Sequence, residues 1–265
     1  MNASIPYWHV DAFAARPFTG NPAAVMILED WPEDDILQAI GEENNFAETA
    51  FLVRDPSGLA DWELRWFTPT TEIRLCGHAT LAAGHVLLGQ EPDRNSVRFQ
   101  TRKAGVLEVV SAGEAYEVGL PAILTERGEW PEAVAALGGE PLETWRNPDG
   151  YNLFLFADED QVRALRPDFP VLGALGIDSF TATAAGRETD IVSRVFVPGS
   201  GVDEDPVTGS AHAVLTPFWA GRLNRDRFTA YQASARGGHL TCRLDGQAVW
   251  LGGECVTVVE GCFRL

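Results

Sequence analysis

The chain has 265 residues, 45% of them hydrophobic and 22% charged, which suits an ordinary soluble globular enzyme of one large or two small domains with real apolar cores. No apolar run reaches the roughly eighteen residues of a membrane helix. The balance of 20 basic against 38 acidic residues gives a net charge of -18, a field that repels nucleic acid and anionic membranes.

That field also repels anionic substrates, so a carboxylate ligand would need local help from backbone N–H groups or a helix N-terminus. The opening Met1-Asn2-Ala3-Ser4-Ile5-Pro6 has no basic segment leading into an apolar one, so no signal peptide is expected. Cys76, Cys242, Cys255 and Cys262 are too scattered for a disulfide framework and include no C-x-x-C pair. Reduced thiols and a cytoplasmic location are the expectation.

In chain order, Tyr7 to Phe13 alternates as a strand, Arg16 to Pro22 has turn chemistry, and Ala23 to Leu28 reads as a buried strand. Pro32 opens a helix through Ile40, with Glu33, Asp34 and Asp35 in a first turn where the dipole favours anions. The run from Asn44 to Val53 ends β-prone, and as a strand it would put Phe46, Glu48, Ala50 and Leu52 on one face. Residues 62–67 alternate, and a loop from Thr68 to Glu72 follows. Gly77 to Leu88 reads as a helix that is small or apolar nearly all round, hence buried.

Residues 96–120 predict a β-meander punctuated by Gly105, Gly113 and Gly119. Short helices are expected over Pro131–Leu137, Asp158–Leu165 and Pro170–Leu175, and strands over Tyr151–Phe156 and Asp190–Val197. An acid-rich loop, Asp203 to Val207, then leads into Thr208-Gly209-Ser210-Ala211-His212, a second helix of small and apolar residues that Pro217 should limit or kink. The tail from Gly246 is β-like, with Gly252-Gly253 as a turn. The two loop-to-helix units, near His78 and near Ser210, lie about half the chain apart. They imply two similar lobes, each wrapping a sheet around a central helix, with both helix N-termini able to face a common cleft.

Three groups could carry chemistry. Glu48 on an apolar strand face would lose hydration, which raises a carboxyl pKa and suits an acid that is also a base; a solvated strand-end Glu is the plainer alternative. The Gly77-His78 and Gly209-Ser210 helix starts offer free N–H groups and a favourable dipole to an anion and to enolate-like charge, against ordinary helix packing. Asp205, extended before Pro206, could pair with Glu48, whereas Asp203 and Glu204 read as a solvated acidic loop. His78 is a hydrogen-bonding or proton-shuttling partner, while His85 and His212 read as packing residues. No H-E-x-x-H, EF-hand, dinucleotide-binding, P-loop or nucleophile-elbow pattern is present, so no metal and no cofactor are expected.

Taken together the motifs resemble the phenazine-biosynthesis PhzF-like family, which shares the diaminopimelate epimerase-type fold. The carriers are Asp11-Ala12-Phe13 with Phe18-Thr19-Gly20-Asn21-Pro22-Ala23-Ala24-Val25, then Phe46-Ala47-Glu48-Thr49-Ala50-Phe51, Arg65-Trp66-Phe67-Thr68-Pro69 with Glu72, Leu75-Cys76-Gly77-His78-Ala79-Thr80, and Glu204-Asp205-Pro206-Val207-Thr208-Gly209-Ser210-Ala211-His212. The resemblance runs through nearly the whole chain. It implies an α+β fold of two pseudo-symmetric lobes, each a curved mixed sheet around a central helix, with the active-site cleft between them. The lobes are expected over 1–115 and 116–255, and a final strand near 256–265 can return to the first.

The implied activity is cofactor-independent isomerisation: a proton leaves carbon and returns elsewhere on a small, unsaturated, carboxylated metabolite. Glu48, His78 and Asp205 match the family's catalytic groups. Glu48 would move the proton, with His78 and Asp205 holding or shuttling protons on the opposite side. Asn21, Gly77, Gly209 and Ser210 would bind the substrate. A homodimer is the family-level expectation, with neither nucleic acid nor membrane as a partner. Two competing functions stand beside this one. An amino-acid epimerase or racemase of the same fold needs two opposed thiols. Here Cys76 stands near the first position and no cysteine stands near the second, so Cys76 reads as a small buried residue. A non-catalytic protein that binds small anions would tolerate loss of Glu48.

Overall fold

The computed structural model describes residues 4–265. The chain forms two compact units. One runs through Leu120 and takes back Gly252–Leu265; the other is Pro121–Leu251. Among the described residues no helix is long and apolar enough to cross a membrane.

The first unit contains β1 (Ser4–Ala12), β2 (Asn21–Ile27), α1 (Asp34–Asn44), β3 (Glu48–Arg54), β4 (Trp62–Phe67), β5 (Glu72–Ile73), α2 (Gly77–Gln90), β6 (Ser96–Thr101), β7 (Val106–Ala112) and β8 (Ala115–Pro121). Helix α1 starts at Asp34, later than Pro32, because Glu33 is still extended; Asp34 and Asp35 occupy its first turn and Asn45 ends it in the left-handed region. Its buried Leu37, Ile40 and Gly41 form one stripe. Leu37 and Ile40 join Met26, Phe51 and Phe67 in a core cluster. Each such side chain contributes about 1.5–3 kcal/mol on burial.

Helix α2 is buried nearly all round, as its composition dictates, and packs against β1, β2, β3, β6 and β7. Gly84 makes the close approach: a Cβ there would stand 2.4 Å from Val109 Cγ1.

The second unit contains β9 (Glu126–Arg127), α3 (Pro131–Leu137), β10 (Glu143–Arg146), β11 (Tyr151–Leu155), α4 (Glu159–Ala164), α5 (Phe169–Ala174), β12 (Ser179–Ala185), β13 (Ile191–Val197), β14 (Val202–Asp205), α6 (Gly209–Leu223), β15 (Arg227–Gln232), β16 (Gly238–Asp245) and β17 (Ala248–Gly253). Strand β18 (Cys255–Arg264) then pairs antiparallel with β1.

Two local expectations are not met as stated, for identifiable reasons. Of the limit or kink expected at Pro217, the limit is not seen: α6 continues to Leu223. The carbonyl of Ala213, which a non-proline residue 217 would bond, instead accepts the Ile123 N–H at 3.1 Å. Gly252-Gly253 is not a turn but the end of β17; a Cβ on Gly253 would stand 2.5 Å from Phe13 Cδ1, so the strand needs glycine for close contact.

Strand pairing makes the internal echo concrete. In the first unit β1–β2 is antiparallel, β2–β3 parallel, β3–β4 and β4–β5 antiparallel, β4–β6 parallel and β6–β7 antiparallel. The series β10–β11, β11–β12, β12–β13, β13–β14, β13–β15, β15–β16 repeats those orientations in order. The architecture is α+β, built twice.

The echo extends to side chains. Arg65 on β4 forks onto Glu72 on β5 through Nε and Nη2 at 2.8 and 2.9 Å. Arg194 on β13 forks onto Glu204 on β14 the same way, both at 2.8 Å. Each guanidinium also lies over the Phe two residues on, Phe67 at 5.0 Å and Phe196 at 4.9 Å. In both units the buried helix starts five residues after that Glu, at Gly77 and at Gly209. Glu204 is therefore not part of a solvated loop. It is a strand residue clamped by an arginine.

Candidate active site

In the first unit the sequence-predicted residues converge. Gly20 has φ +66°, and a Cβ there would stand 2.2 Å from the Ala12 carbonyl oxygen, so only glycine lets the chain enter β2 at Asn21. The same turn holds Phe18 at φ 71°, with its N–H donated to Asp11 Oδ2 at 2.8 Å. Parallel pairing of β2 with β3 sets Ala23 beside Glu48, which brings the starts of the two strands together. Helix α2 then delivers His78 in its first turn.

His78 Nε2 lies 3.1 Å from Glu48 Oε2. On the other edge of the ring, Nδ1 faces Asn21 Nδ2 at 3.1 Å and Cys76 Sγ at 3.5 Å. Asn21, His78 and Cys76 are buried, at 0%, 2% and 4% exposure, while the Glu48 side chain keeps 15%. Glu48 is thus the member of the group that reaches solvent, with His78 behind it. This differs from the expected arrangement, in which His78 acts from the side opposite Glu48. Asn21, expected among the ligand-binding residues, is wholly buried and turns its amide to His78.

The electrostatics follow from this packing. Burial pushes the Cys76 thiol up to about 11, and the Glu48 charge adds to the effect, so the sulfur carries its proton near neutral pH. Burial alone would press His78 down, but its acidic neighbours Cys76 and Glu48 outweigh burial and hold it well above the usual histidine value. Among the described residues neither Glu48 Oε2 nor His78 Nε2 has a partner in hydrogen-bond geometry; the two are close but misaligned.

Glu48, Cys76 and His78 each place a potential ligand atom within 4.8 Å of the others. However, His78 offers opposite ring nitrogens to Glu48 and Cys76, so a single ion would not meet all three groups as they are placed. The arrangement fits a hydrogen-bonded chain better than a chelate.

The second unit carries its own polar cluster before α6. Thr208 Oγ1 donates to Asp205 Oδ2. Gln232, fully buried, accepts the Thr208 N–H at 2.8 Å and donates to the Asp205 carbonyl at 2.6 Å and to Thr208 Oγ1 at 3.2 Å. Gly209 is buried and Ser210 half-buried at the start of the helix. One turn on, His212 Nδ1 donates to the Thr208 carbonyl at 2.8 Å, and Nε2 has no hydrogen-bond partner among the described residues. Burial presses His212 down to about 4. His85 meets Thr257 Oγ1 at 2.9 Å and lies edge-on to Tyr116, a packing role as expected.

Sequence reasoning missed Gln232, the contact of Cys76 with His78 and the position of Thr208. The last two had a signal: each directly precedes the Gly that opens a buried helix. Gln232 had only the alternation of β15, in which Phe228, Ala230 and Gln232 are the buried residues.

Comparison with known proteins agrees with this architecture. The family described as phenazine biosynthesis-like protein, PhzC-PhzF, matches residues 10–261. An uncharacterized isomerase of Pseudomonas aeruginosa is 46% identical over 98% of this chain and 99% of its own length. The crystal structure of a PhzF-family phenazine biosynthesis protein from Enterococcus faecalis superposes with a TM-score of 0.90 at 42% identity, covering 99% of this chain and all of the other. A hydroxyproline epimerase from Agrobacterium vitis shares the fold, with a TM-score of 0.66 at 13% identity over 99% of this chain and 93% of that one. The chain belongs to the phenazine biosynthesis-like (PhzC-PhzF) family and is an isomerase.

Proposed function

We propose that the chain is a cofactor-independent isomerase that moves a proton between carbons of a small, unsaturated, carboxylated metabolite, with Glu48 as the proton carrier. The observation that carries this reading is the pair at the first-unit site: a carboxyl group still open to solvent, backed at 3.1 Å by a buried histidine.

The step balances without an outside reagent. Glu48 removes a proton from carbon and becomes a carboxylic acid, while the electron pair left behind spreads through the conjugated system toward the metabolite's carboxylate. Glu48 then returns the proton to a different carbon of that system. The N–H groups at the start of α2 suit the anionic end of such a ligand. Asp205 and the Gly209-Ser210 start of α6 enter this proposal through the resemblance, as proton-holding and ligand-holding groups of the second unit. Cys76 is buried with a proton that leaves only near 11, which weighs against a thiol racemase.

The test is deuterium exchange. The protein is incubated in D₂O with a panel of small unsaturated carboxylates, a dihydro-hydroxyanthranilate among them, and proton NMR follows label entering carbon. Exchange should fall by ~10²–10⁴-fold in Glu48→Gln, the usual contribution of a general acid–base. A variant retaining more than about 5% of the exchange would refute the role of Glu48. Asp205→Asn reports in the same assay on the second unit's part.

A further inference from the structure

Both buried helices begin with a residue that does not use its side chain in the ordinary way. Cys76 and Thr208 are the N-cap residues of α2 and α6, both with extended backbone, and neither makes a side-chain cap hydrogen bond. For threonine this is a forfeited interaction, since an N-cap threonine normally stabilises its helix. The Ala79 amide does lie close enough to Cys76 to favour its thiolate slightly, but only as the weakest of the influences on that sulfur.

The two residues occupy the same place in the duplicated fold, four after the clamped Glu72 and Glu204 and one before the helix-opening glycine. Their side chains turn to the titratable neighbour instead: Cys76 Sγ to His78 Nδ1 at 3.5 Å, and Thr208 Oγ1 to Asp205 Oδ2. We propose that Cys76 and Thr208 are positioning residues, which set the ring state of His78 and the carboxylate of Asp205 and leave the first helix N–H groups to a ligand. This deepens the reading of Glu48 and His78 as a proton-transfer pair and rests on it.

The chemistry of the partners suits the task. His78 Nδ1 is enclosed by a thiol and an amide, beside a carboxylate on Nε2. A thiol donates through S–H and accepts through sulfur, and an amide offers either atom by turning over. Nδ1 therefore keeps a partner whether His78 is neutral or charged, while Nε2 lies 3.1 Å from Glu48 Oε2. Serine could replace cysteine in this; alanine would leave Nδ1 to the Asn21 amide alone. In the second unit the Thr208 hydroxyl is oriented by Gln232, which donates to it and accepts the Thr208 N–H, so the hydroxyl proton goes to Asp205. A donor aimed at a carboxylate favours its charged form.

The test needs no substrate. Long-range ¹H–¹⁵N spectra of the histidine rings, recorded across pH, give the tautomer and titration of His78 in the wild-type chain and in Cys76→Ala and Cys76→Ser. Neutral His78 should be a single Nε2–H tautomer in the wild type and in Cys76→Ser. In Cys76→Ala its two nitrogen shifts should converge toward those of a mixture, with a moved titration midpoint. For the second unit, carbon-detected titration of Asp205 should move upward in Thr208→Val and return in Thr208→Ser.

Urea midpoints establish that each variant is folded. Should Cys76→Ala not fold, Cys76→Val takes its place in the comparison with serine. Unchanged His78 and Asp205 signals in the folded alanine (or valine) and valine variants would overturn the proposal. Failure of Glu48-dependent exchange, with these ring and carboxyl shifts still seen, would overturn the isomerase mechanism and leave the positioning roles standing.

Discussion

His212 offers the sharpest test of how burial controls this protein. The ring is completely buried, its Nδ1–H is committed to the Thr208 carbonyl, and Nε2 has no hydrogen-bond partner among the described residues. Protonating it in place means burying a cation with nothing to meet it, which is why it titrates near 4 in the fold against 6.5 when exposed. Below 6.5 the unfolded chain binds a proton that the folded chain refuses, so stability rises with pH across this window and is lost on acidification. At pH 4.5 the difference amounts to about 2.5 kcal/mol, against almost nothing at pH 7. The perturbation is His212→Gln, which keeps a donor for Thr208 but cannot titrate. Urea unfolding of both proteins at steps from pH 7 to 4.5 gives the difference in stability, and the carboxylates common to both cancel. The wild type should lose about 2–2.5 kcal/mol relative to the variant over that range. A flat difference would refute the reasoning, as would a His212 ring signal titrating near 6.5 in the folded protein.

Other consequences follow from the same structure. His78 has the opposite sign: its value is raised in the fold, so its contribution to stability is fully present below 6.5 and lost as pH rises through the folded value; thermal melts of wild type and His78→Asn should converge at high pH. Gly84→Ala would set a methyl against Val109 and should destabilise the first unit by about 1–3 kcal/mol, with partial rescue by Val109→Ala; no change in the urea midpoint would mean that helix α2 moves away freely. Trp219 Nε1 donates to Thr183 Oγ1 at 3.0 Å in a buried setting, so Thr183→Val should cost about 1–3 kcal/mol by orphaning that donor, and a midpoint shift well below this would show that the indole finds another acceptor.

What the sequence disclosed follows from which signals are local. The apolar run of α2 and the alternation of β4 are properties of neighbouring residues, and both elements stand where they were expected. Glu48 was legible because strand, turn and motif coincide around it. Strand β12, Ser-Phe-Thr-Ala-Thr-Ala-Ala, was not, because it is buried on both faces and built of small residues, so nothing alternates. Strand β14 looked like a solvated acidic loop because the partner that neutralises Glu204 is Arg194, across a hairpin. The contact of Asn21 with His78 spans 57 residues of sequence, and no periodicity encodes it.

The two arginine clamps show how a duplicated fold can be tested as duplicated. Arg65 is 3% exposed and Arg194 12%, and each Glu partner keeps 19%. Removing one member of a buried pair strands the other, at about 3–5 kcal/mol when burial is complete; the remaining exposure of the carboxylates brings the expectation for either Arg→Met change to about 2–3 kcal/mol. The clamps differ in their remaining contacts. Arg65 also meets Asp34, which is 64% exposed and stays hydrated without it. Arg194 also donates to the Leu165 carbonyl at 2.9 Å, and Leu165 is buried, so that acceptor loses its arginine donor when the arginine goes. Arg194→Met should therefore destabilise more than Arg65→Met. Adding Glu72→Leu or Glu204→Leu should recover much of the loss, because an apolar pair needs no counter-charge. The double-mutant cycles, read by urea midpoints, give the coupling in each unit. Strong coupling in both would mean that the clamps hold the strands β5 and β14, and hence the segments that lead into His78 and from Asp205. Negligible coupling would make them surface ion pairs, and the duplication a repeat of topology alone.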